Sequence, residues 1–312
     1  MSKQPGTPEK RSGPDRSIVH TISHDQEVVL DAKVLRRLAE SALLEDRAWH
    51  DVTTDALVPE EQRGRARIIA KAPGVIAGLP LAETVFAAAD ATLAWRPAAG
   101  DGARVSPGDA VAQIEGTLAS VLRAERVALN YLGHLSGVAT ATAAVVEAVR
   151  GTGCRVRDTR KTVPGLRSLQ KYAVRMGGGV NHRADLASGV LIKDNHLDAL
   201  RARGFGIAEA VTLAAEANPH LKIEVEVTSV EEAGQAMEAG AHELLLDNMP
   251  PDQMREVVRL AAAGEHRPAL EASGNITAEN AREVVETGVD YISLGALTHS
   301  ARALDLSLRI EA

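Results

Sequence analysis

From about Gly153 to the C-terminus, short apolar runs alternate with longer amphipathic segments, and this alternation constrains the fold most strongly. Several of the amphipathic segments end in glycine, as helix C-termini do. Strands that alternate with helices form right-handed βαβ units, so the pattern predicts a parallel sheet. Six such units predict a (β/α) barrel, complete or open. The six runs that have the character of buried strands are Cys154–Thr159, Gly189–Asp194, Lys222–Val227, Glu243–Asp247, Ala269–Ser273 and Tyr291–Gly295.

The N-terminal half has a different pattern, which predicts helices combined with a small, largely antiparallel sheet. Residues 50–59 are predicted as a polar loop, and residues 118–137 and 138–151 as two helices, with Thr117 capping the first. The alternating segment 302–310 is predicted to return to this sheet. We therefore divide the chain into a flexible tail (1–25), an N-terminal α/β domain (26–135, joined by 300–312) and a barrel domain (136–299).

The composition favours a cytoplasmic protein with an aliphatic core. Apolar residues make up 45% of the chain but aromatic residues only 2%, which suits helices packed on a parallel sheet. The single cysteine, Cys154, excludes an intrachain disulfide and favours a reducing compartment. No run reaches the roughly 20 apolar residues that span a bilayer, and the polar N-terminus lacks an apolar signal core. We expect no membrane association.

One segment is strongly basic within an acidic chain. Residues 155–193 contain nine Lys or Arg but only two acids, whereas the whole chain has a net charge of −7. Such a local excess of cations indicates a focused anion site. Arg167, Lys171 and Arg175 have helical spacing and are predicted to form a solvated basic face. A nucleic-acid partner is disfavoured, because the rest of the chain is acidic and offers few aromatic side chains for stacking.

Polar residues follow the predicted strands in an ordered series. In α/β barrels the working side chains lie at the carboxyl ends of the strands. Glu226 and Asp247 could hold Mg²⁺ or stabilise a developing positive charge; Asn248 alone fits a helix N-cap. The small residues after the last two strands favour a phosphate site. The series comprises Thr159, Arg160, Lys161, Lys193, Asp194, Asn195, Glu226, Asp247, Asn248, Ser273, Gly274, Asn275, Gly295 and Ala296; the predicted phosphate loops are Ser273–Asn275 and Leu294–Ala296.

The triple glycine 177–179 precedes Asn181, His182 and Arg183. A helix C-terminus needs fewer than three glycines. His182 could act as a general acid or base, or donate a hydrogen bond to an anion. The chain contains no HExxH zinc motif and no GxxxxGK[ST] loop, which disfavours zinc hydrolases and P-loop proteins. The residues predict two anionic substrates, one of them phosphorylated, with a metal between them.

The motifs DTRKTVPGLR, KYAVRMGGGVNHR and LIKDNH resemble those of the quinolinate phosphoribosyltransferase family, as do RAERVALNYLGHLSGVAT, LLLDNM, LEASGNIT and GVDYISLGALTHS. The resemblance implies an N-terminal α/β sandwich and a C-terminal open α/β barrel of type II phosphoribosyltransferases. It also implies a homodimer with shared active sites. Arg126, which beside Glu125 reads as an exposed ion pair, then matches the arginine supplied across the subunit interface.

The resemblance implies that phosphoribosyl pyrophosphate and quinolinate react to nicotinate mononucleotide, CO₂ and pyrophosphate, with Mg²⁺ as cofactor. Lys161, Glu226 and Asp247 match catalytic positions, and the two carboxylates are also the implied metal ligands. The implied quinolinate site is Arg126, Thr159, Arg160, Lys161, His182, Arg183 and Lys193. The implied site for phosphoribosyl pyrophosphate is Lys193, Glu226, Asp247, Ser273, Gly274, Asn275, Leu294, Gly295 and Ala296.

Some positions depart from the family pattern, and two alternatives stay open. Trp49-His50 precedes Asp51 where the family usually has Gly, Met176 replaces a commoner Cys, and Ala184-Asp185 replaces small residues. One alternative is a sister phosphoribosyltransferase family associated with molybdate-transport gene clusters. The other is a barrel that senses a phosphorylated ligand without catalysis. His182-Arg183 and the complete LIKDNH motif favour the quinolinate enzyme over the first, and the presence of both Glu226 and Asp247 disfavours the second.

Overall fold

The computed structural model describes residues 30–311, which form an antiparallel four-stranded sheet and a parallel six-stranded sheet, each covered by helices. The predicted tail, residues 1–25, lies outside the described residues. The expected fold class is confirmed: an N-terminal α/β sandwich precedes a C-terminal open α/β barrel.

The N-terminal sheet contains, in order, the strands β12 (Leu306–Glu311), β1 (Arg63–Ala70), β5 (Ala110–Thr117) and β3 (Ala94–Pro97). Its central strand β1 alternates: Ala66, Ile68 and Ala70 face the core, while Arg65 and Arg67 face solvent, as a half-buried strand requires. The elements of this part are α1 (Ala32–Glu45), α2 (Val52–Leu57), β1 (Arg63–Ala70), β2 (Gly74–Val75), α3 (Leu79–Ala89), β3 (Ala94–Pro97), β4 (Arg104–Val105), β5 (Ala110–Thr117) and the returning β12 (Leu306–Glu311).

The return of the C-terminus is confirmed, but the predicted loop at residues 50–59 is wrong. Strand β12 pairs antiparallel with β1, with Ile310 opposite Ala66. Helix α2 occupies most of the predicted loop. It forms because the Asp51 carboxylate accepts the backbone N–H groups of Thr53 and Thr54, at 3.1 and 3.0 Å, which is the usual N-cap contact.

A single helix, α4 (Leu118–Ala148), replaces the two helices that the sequence predicts. Its glycines do not end the helix but make room for another segment. A Cβ at Gly137 would lie 2.1 Å from the carbonyl oxygen of Arg302, and one at Gly133 would lie 3.0 Å from that of Leu304. The helix therefore runs through both domains under the returning C-terminal chain. Thr117 stands at its N-cap position but makes no side-chain cap hydrogen bond to the helix backbone; its hydroxyl contacts the Asp90 carboxylate and the Ser120 hydroxyl.

The barrel sheet has the strand order β6-β11-β10-β9-β8-β7, and every pairing is parallel. Its edge strands β6 and β7 do not pair with each other, so the barrel is open between them. All six predicted strands are present. They and the surrounding helices are β6 (Arg155–Arg157), α5 (Arg167–Met176), β7 (Val190–Ile192), α6 (Asp194–Arg201), α7 (Ile207–Ala217), β8 (Ile223–Val227), α8 (Val230–Glu238), β9 (Glu243–Asp247), α9 (Pro251–Ala263), β10 (Ala269–Ser273), α10 (Ala281–Val285), β11 (Tyr291–Ser293) and α11 (Ala296–His299).

Candidate active site

A cavity of about 310 Å³ opens at the carboxyl ends of the barrel strands. It brings together residues from motifs that are far apart in the sequence, because parallel strands all end at the same side of the sheet. The residues that line it are Thr159, Arg160, Lys161, His182, Arg183, Leu191, Lys193, Glu226, Leu245, Asp247, Glu271, Ser273 and Ser293.

Four of these residues, Arg160, Lys161, Arg183 and Lys193, form what we call the cationic mouth. Lys193 donates to the Glu226 carboxylate, and Arg183 donates to the carbonyl oxygen of Gly189 at 2.9 Å. The Arg160 Nε is buried and has no hydrogen-bond partner among residues 30–311. Burial and the neighbouring charge of Arg160 lower the pKa of Arg183. Cations that repel one another and retain free donors provide a ready site for an anion.

The turn that carries Arg160 and Lys161 is fixed by neighbouring elements. The Lys161 N–H donates to Thr159 Oγ1 at 3.0 Å, and the Thr298 hydroxyl donates to the Lys161 carbonyl at 2.7 Å. The side chain of Lys161 lies over Gly295, where a Cβ would approach its Cδ to 2.8 Å. Gly295 therefore makes room for a cation of the mouth.

A buried ion pair holds the segment 181–183 in place. Lys171 Nζ donates to Asp158 Oδ1 at 2.5 Å and to the His182 carbonyl at 2.9 Å. Asp158 also accepts from the His182 N–H and from Asn181 Nδ2, at 2.9 and 2.6 Å. The predicted solvated face is thus wrong for Lys171, which is 3% exposed. Helix α5 turns this residue inward, and the ion pair links the DTRK motif to the NHR motif.

His182 lines the cavity, but both of its ring nitrogens lie near protein groups. Nδ1 accepts the Arg183 N–H at 2.7 Å, and Nε2 lies 2.8 Å from Glu224 Oε2. In the neutral ring, an Nδ1 that accepts from an amide carries no proton, so the single ring proton lies on Nε2, toward Glu224. Burial opposes charge on the ring, but the carboxylates of Glu224 and Glu271 raise the pKa of His182.

Beneath the mouth lies what we call the charged floor, formed by Arg157, Glu224, Glu243 and Glu271, which the sequence analysis did not identify. Arg157 Nη1 donates to Glu243 Oε2 at 2.9 Å and to Glu271 Oε2 at 2.5 Å. Its guanidinium also lies 3.4 Å from the centre of the Tyr291 ring. Arg157 is 2% exposed, so these contacts compensate the loss of water around its charge.

The other predicted site residues lie outside the cavity lining. Arg126, on α4, has a side chain that is 64% exposed, and its Nη2 stands 4.0 Å from Glu125. The Leu294 N–H donates to the Arg157 carbonyl at 3.1 Å within the sheet. Gly274 and Asn275 form a loop after β10, and Ala296 begins α11. Their roles in substrate binding stay predictions.

Glu226 and Asp247 fit the predicted magnesium site by their chemistry. Both carboxylates line the cavity, on the neighbouring strands β8 and β9. In proteins, Mg²⁺ usually binds oxygen atoms from one or two carboxylates, and water and substrate phosphate complete its coordination.

Cys154 is no candidate for a nucleophile, because burial raises the pKa of its thiol to about 12.

Fold and cavity together indicate an α/β-barrel enzyme that acts on small molecules. Family models agree: the description "Quinolinate phosphoribosyl transferase, N-terminal domain" matches residues 51–136, and "Quinolinate phosphoribosyl transferase, C-terminal domain" matches residues 138–309. The chain therefore belongs to the quinolinate phosphoribosyl transferase family, a family of pentosyltransferases.

Individual relatives match along most of their length. The "Nicotinate-nucleotide pyrophosphorylase [carboxylating]" of Mycobacterium leprae is 43% identical over 272 residues, which are 86% of this chain and 94% of the relative. The human protein of the same description is 40% identical and covers 91% of this chain and 94% of its own length. The solved nicotinate-nucleotide pyrophosphorylase from Francisella tularensis superposes with a TM-score of 0.87 at 36% identity, covering 93% of this chain and 100% of that one. Within residues 30–311, no helix combines the length and the apolar character needed to cross a membrane.

Proposed function

We propose that this protein transfers the phosphoribosyl group of 5-phosphoribosyl 1-pyrophosphate to quinolinate with loss of CO₂, the step that forms nicotinate mononucleotide in de novo NAD biosynthesis. One observation carries the proposal. Cations from three separate motifs and carboxylates from two neighbouring strands line the same cavity of about 310 Å³. A dicarboxylate and a phosphorylated sugar need this combination of opposite charges side by side.

The cationic mouth is the proposed quinolinate site. Quinolinate carries two adjacent carboxylates on a planar ring, and planar guanidinium groups bind carboxylates through two parallel hydrogen bonds. Arg160 and Arg183 supply these groups, and Lys161 and Lys193 add point charges. Fixing the ring in this way would aim its nitrogen at the sugar.

Glu226 and Asp247 are the proposed sugar-side residues. The ring nitrogen forms a bond to ribose C1 while the bond from C1 to pyrophosphate breaks, and positive charge develops on the sugar. The two fixed carboxylates favour that charge through preorganised electrostatics. Mg²⁺, when bound there, neutralises the pyrophosphate leaving group. Ser273 lines the same cavity and could donate to a phosphate oxygen.

The quinolinium adduct then loses its 2-carboxylate. The bond between ring carbon 2 and the carboxyl carbon breaks, CO₂ leaves, and the electron pair stays on carbon 2 until it takes up a proton. The positively charged ring nitrogen beside carbon 2 stabilises that electron pair, and the surrounding cations add to the effect. No covalent enzyme intermediate is needed.

A homodimer with shared sites is part of the proposal, and two features of the N-terminal domain support it. The Arg126 side chain is 64% exposed, and its Nη2 lies 4.0 Å from the Glu125 carboxylate, too far for a hydrogen bond. Within the short segment 49–57, Trp49, Val52 and Leu57 are 45%, 79% and 74% exposed, and exposed apolar patches often mark interaction surfaces. Magnesium as cofactor and a cytoplasmic location remain predictions from the site chemistry and from the single cysteine.

The decisive assay supplies purified protein with quinolinate, phosphoribosyl pyrophosphate and Mg²⁺ and follows CO₂ and nicotinate mononucleotide. We expect both products in equal amounts. Nicotinate is the control substrate, because it lacks the carboxylate that leaves and half of the charge that the mouth binds. Binding of both substrates without any product would contradict the proposal and favour a ligand-sensing barrel.

Site sharing has its own test. Arg126→Ala and Lys161→Ala are each expected to abolish most turnover without loss of the fold. If Arg126 serves the partner's cavity, heterodimers that combine the two variants contain one site with both residues intact. Co-expression should therefore restore activity that neither variant shows alone. Absence of recovery in verified heterodimers, or normal kinetics of Arg126→Ala, would remove the shared site.

A further inference from the structure

Asn248 occupies a junction between the two halves of the proposed sugar-phosphate site. Its Nδ2 donates to Asp247 Oδ2 at 3.0 Å, and its Oδ1 accepts from Asn275 Nδ2 at 3.0 Å. Its backbone N–H donates to the Ser273 carbonyl at 2.9 Å. One residue thus connects the end of β9 to the loop that follows β10. The prediction that Asn248 is a helix N-cap is wrong, because Pro250 takes that position in α9.

The backbone at this junction is held in a rarely used conformation. Asn248 and Asn275 both have φ of 53°. In residues 30–311 only one other non-glycine residue, Arg47, has a positive φ. This region costs on the order of 1 kcal/mol for an L-residue and persists where the surroundings enforce it. Asn tolerates it better than most residues, which accounts for the residue type at both positions.

Gly274 shows how closely the junction is packed. A Cβ at this position would lie 2.2 Å from Asn248 Oδ1 and 2.5 Å from its Cγ. The φ of Gly274 is 97°, which already favours glycine. Glycine at position 274 therefore leaves the space that the Asn248 amide occupies, as well as any space that a bound phosphate needs beside the loop.

The contacts continue beyond the loop. Asn280 Nδ2 donates to the Asn275 carbonyl at 3.0 Å, and Asn280 Oδ1 accepts the Thr277 N–H at 2.8 Å. An unbroken series of amide hydrogen bonds thus runs from residue 280 to the Asp247 carboxylate. Among the described residues, Asn248 is also the only hydrogen-bond donor to that carboxylate.

We propose that Asn248 is a positioning residue that couples the Asp247 carboxylate to the 273–275 loop, so that the sugar-side and phosphate-side groups hold one fixed spacing. The inference rests on the proposed function. It assigns Asn248 to phosphoribosyl pyrophosphate and not to quinolinate, because none of the contacts described for Asn248 reaches Arg160 or Arg183 in the cationic mouth.

The first test uses Asn248→Gly, which retains the left-handed backbone but removes both side-chain hydrogen bonds. We expect KM for phosphoribosyl pyrophosphate to rise about tenfold, the equivalent of one hydrogen bond to a charged group. KM for quinolinate should change less than about twofold, and the melting temperature should stay within about 2 °C. Equal changes in both KM values, or none in either, would overturn the proposal.

Asn248→Asp separates the two side-chain contacts. It keeps an acceptor for Asn275 but replaces the donor to Asp247 with a like charge. KM for phosphoribosyl pyrophosphate should then rise at least as much as in Asn248→Gly. A normal value would mean that the contact with Asp247 has no role, and would overturn the coupling.

A double-mutant cycle tests the steric part. Gly274→Ala should impair the wild-type enzyme strongly, since its methyl group displaces the Asn248 amide. In the Asn248→Gly background that amide is absent, so the further loss should be smaller; additive losses would contradict the coupling.

Hydrogen exchange of the unliganded protein gives a readout that does not depend on activity. Asn248→Gly should speed exchange in residues 273–280 and leave exchange in residues 159–163 unchanged. Unchanged exchange in 273–280 would count against the inference. A wild-type enzyme without turnover would instead refute the proposed function.

Discussion

The cationic mouth and the charged floor contain similar side chains but differ in how their charges are balanced. In the floor, Arg157 is 2% exposed and contacts two carboxylates. In the mouth, Lys193 keeps 44% of its side chain exposed and pairs with one carboxylate, while Arg160 retains an unpaired buried Nε. Charges that are paired within the fold have few donors left for a ligand, whereas charges with spare donors are available to one. We therefore expect the floor cations to matter for stability and the mouth cations for substrate binding.

The largest predicted effect separates the two layers by one matched substitution. Arg157→Met removes the cation shared by the buried Glu243 and Glu271 and leaves Glu243 only its contact with Lys222. It should lower the free energy of unfolding by about 3–5 kcal/mol. Arg160→Met removes a cation of the mouth and should lower it by less than about 1 kcal/mol. Urea denaturation at one fixed protein concentration measures both variants. Equal losses would show that the layers do not differ in this way.

Lys171 should behave as a floor residue, although the sequence analysis grouped it with exposed cations. Lys171→Met leaves the Asp158 carboxylate buried without its cation and should lower the free energy of unfolding by about 3 kcal/mol. Arg175→Met, on the same helix but partly exposed, is the control and should cost under about 1 kcal/mol. If Lys171→Met proves as mild as its control, the ion pair is not essential to the fold.

Loss of a mouth cation should affect catalysis rather than folding. Arg160→Met and Lys193→Met each remove a charged hydrogen-bond donor, which is worth about 1.5–3 kcal/mol. The value of kcat/KM for quinolinate should therefore fall by about 10- to 150-fold. Steady-state kinetics give this ratio, and circular dichroism confirms the fold. Near-normal kinetics in both variants would mean that the mouth does not bind the substrate.

The smallest effect concerns His182, which lies between the two layers. The pKa of His182 is higher in the folded protein than in the unfolded chain, where it is about 6.5. Protonation of His182 therefore stabilises the fold fully below pH 6.5, and this stabilisation is lost as the pH rises through the folded pKa. The stability difference between wild type and His182→Gln should therefore be larger at pH 5.5 than at pH 8.5, as urea denaturation at the two pH values would show. A difference that is constant or grows with pH would contradict the ion pair with Glu224.

Sequence reasoning identified Arg160, Lys161 and Lys193 because they lie at the ends of predicted strands, where α/β barrels place their chemistry. It identified Arg183 from the triple glycine that precedes it. It missed the floor, although strand periodicity contains the information. Side chains two positions apart face the same side of a strand, so Glu224 shares a face with Glu226, and Glu271 shares one with Ser273. Each floor carboxylate or guanidinium lies two or four residues before a residue of the mouth or the cavity lining.

Other features depend on tertiary packing that local patterns do not encode. Gly137 reads as a helix stop, yet it continues α4 because the chain at Arg302 crosses there. Lys171 reads as a surface cation, and only the position of Asp158 shows that it faces inward. The strand positions and the C-terminal return were predictable, since they rest on local alternation and turn residues.

The central claim is that the cationic mouth binds quinolinate beside the sugar-phosphate site. The most direct measurement is a crystal structure of the protein with quinolinate bound. We expect its two carboxylates within about 3 Å of the Arg160 and Arg183 guanidinium groups and the Lys193 ammonium group, with the ring nitrogen directed toward Glu226 and Asp247. Quinolinate bound elsewhere, or with its carboxylates turned away from these cations, would contradict the account.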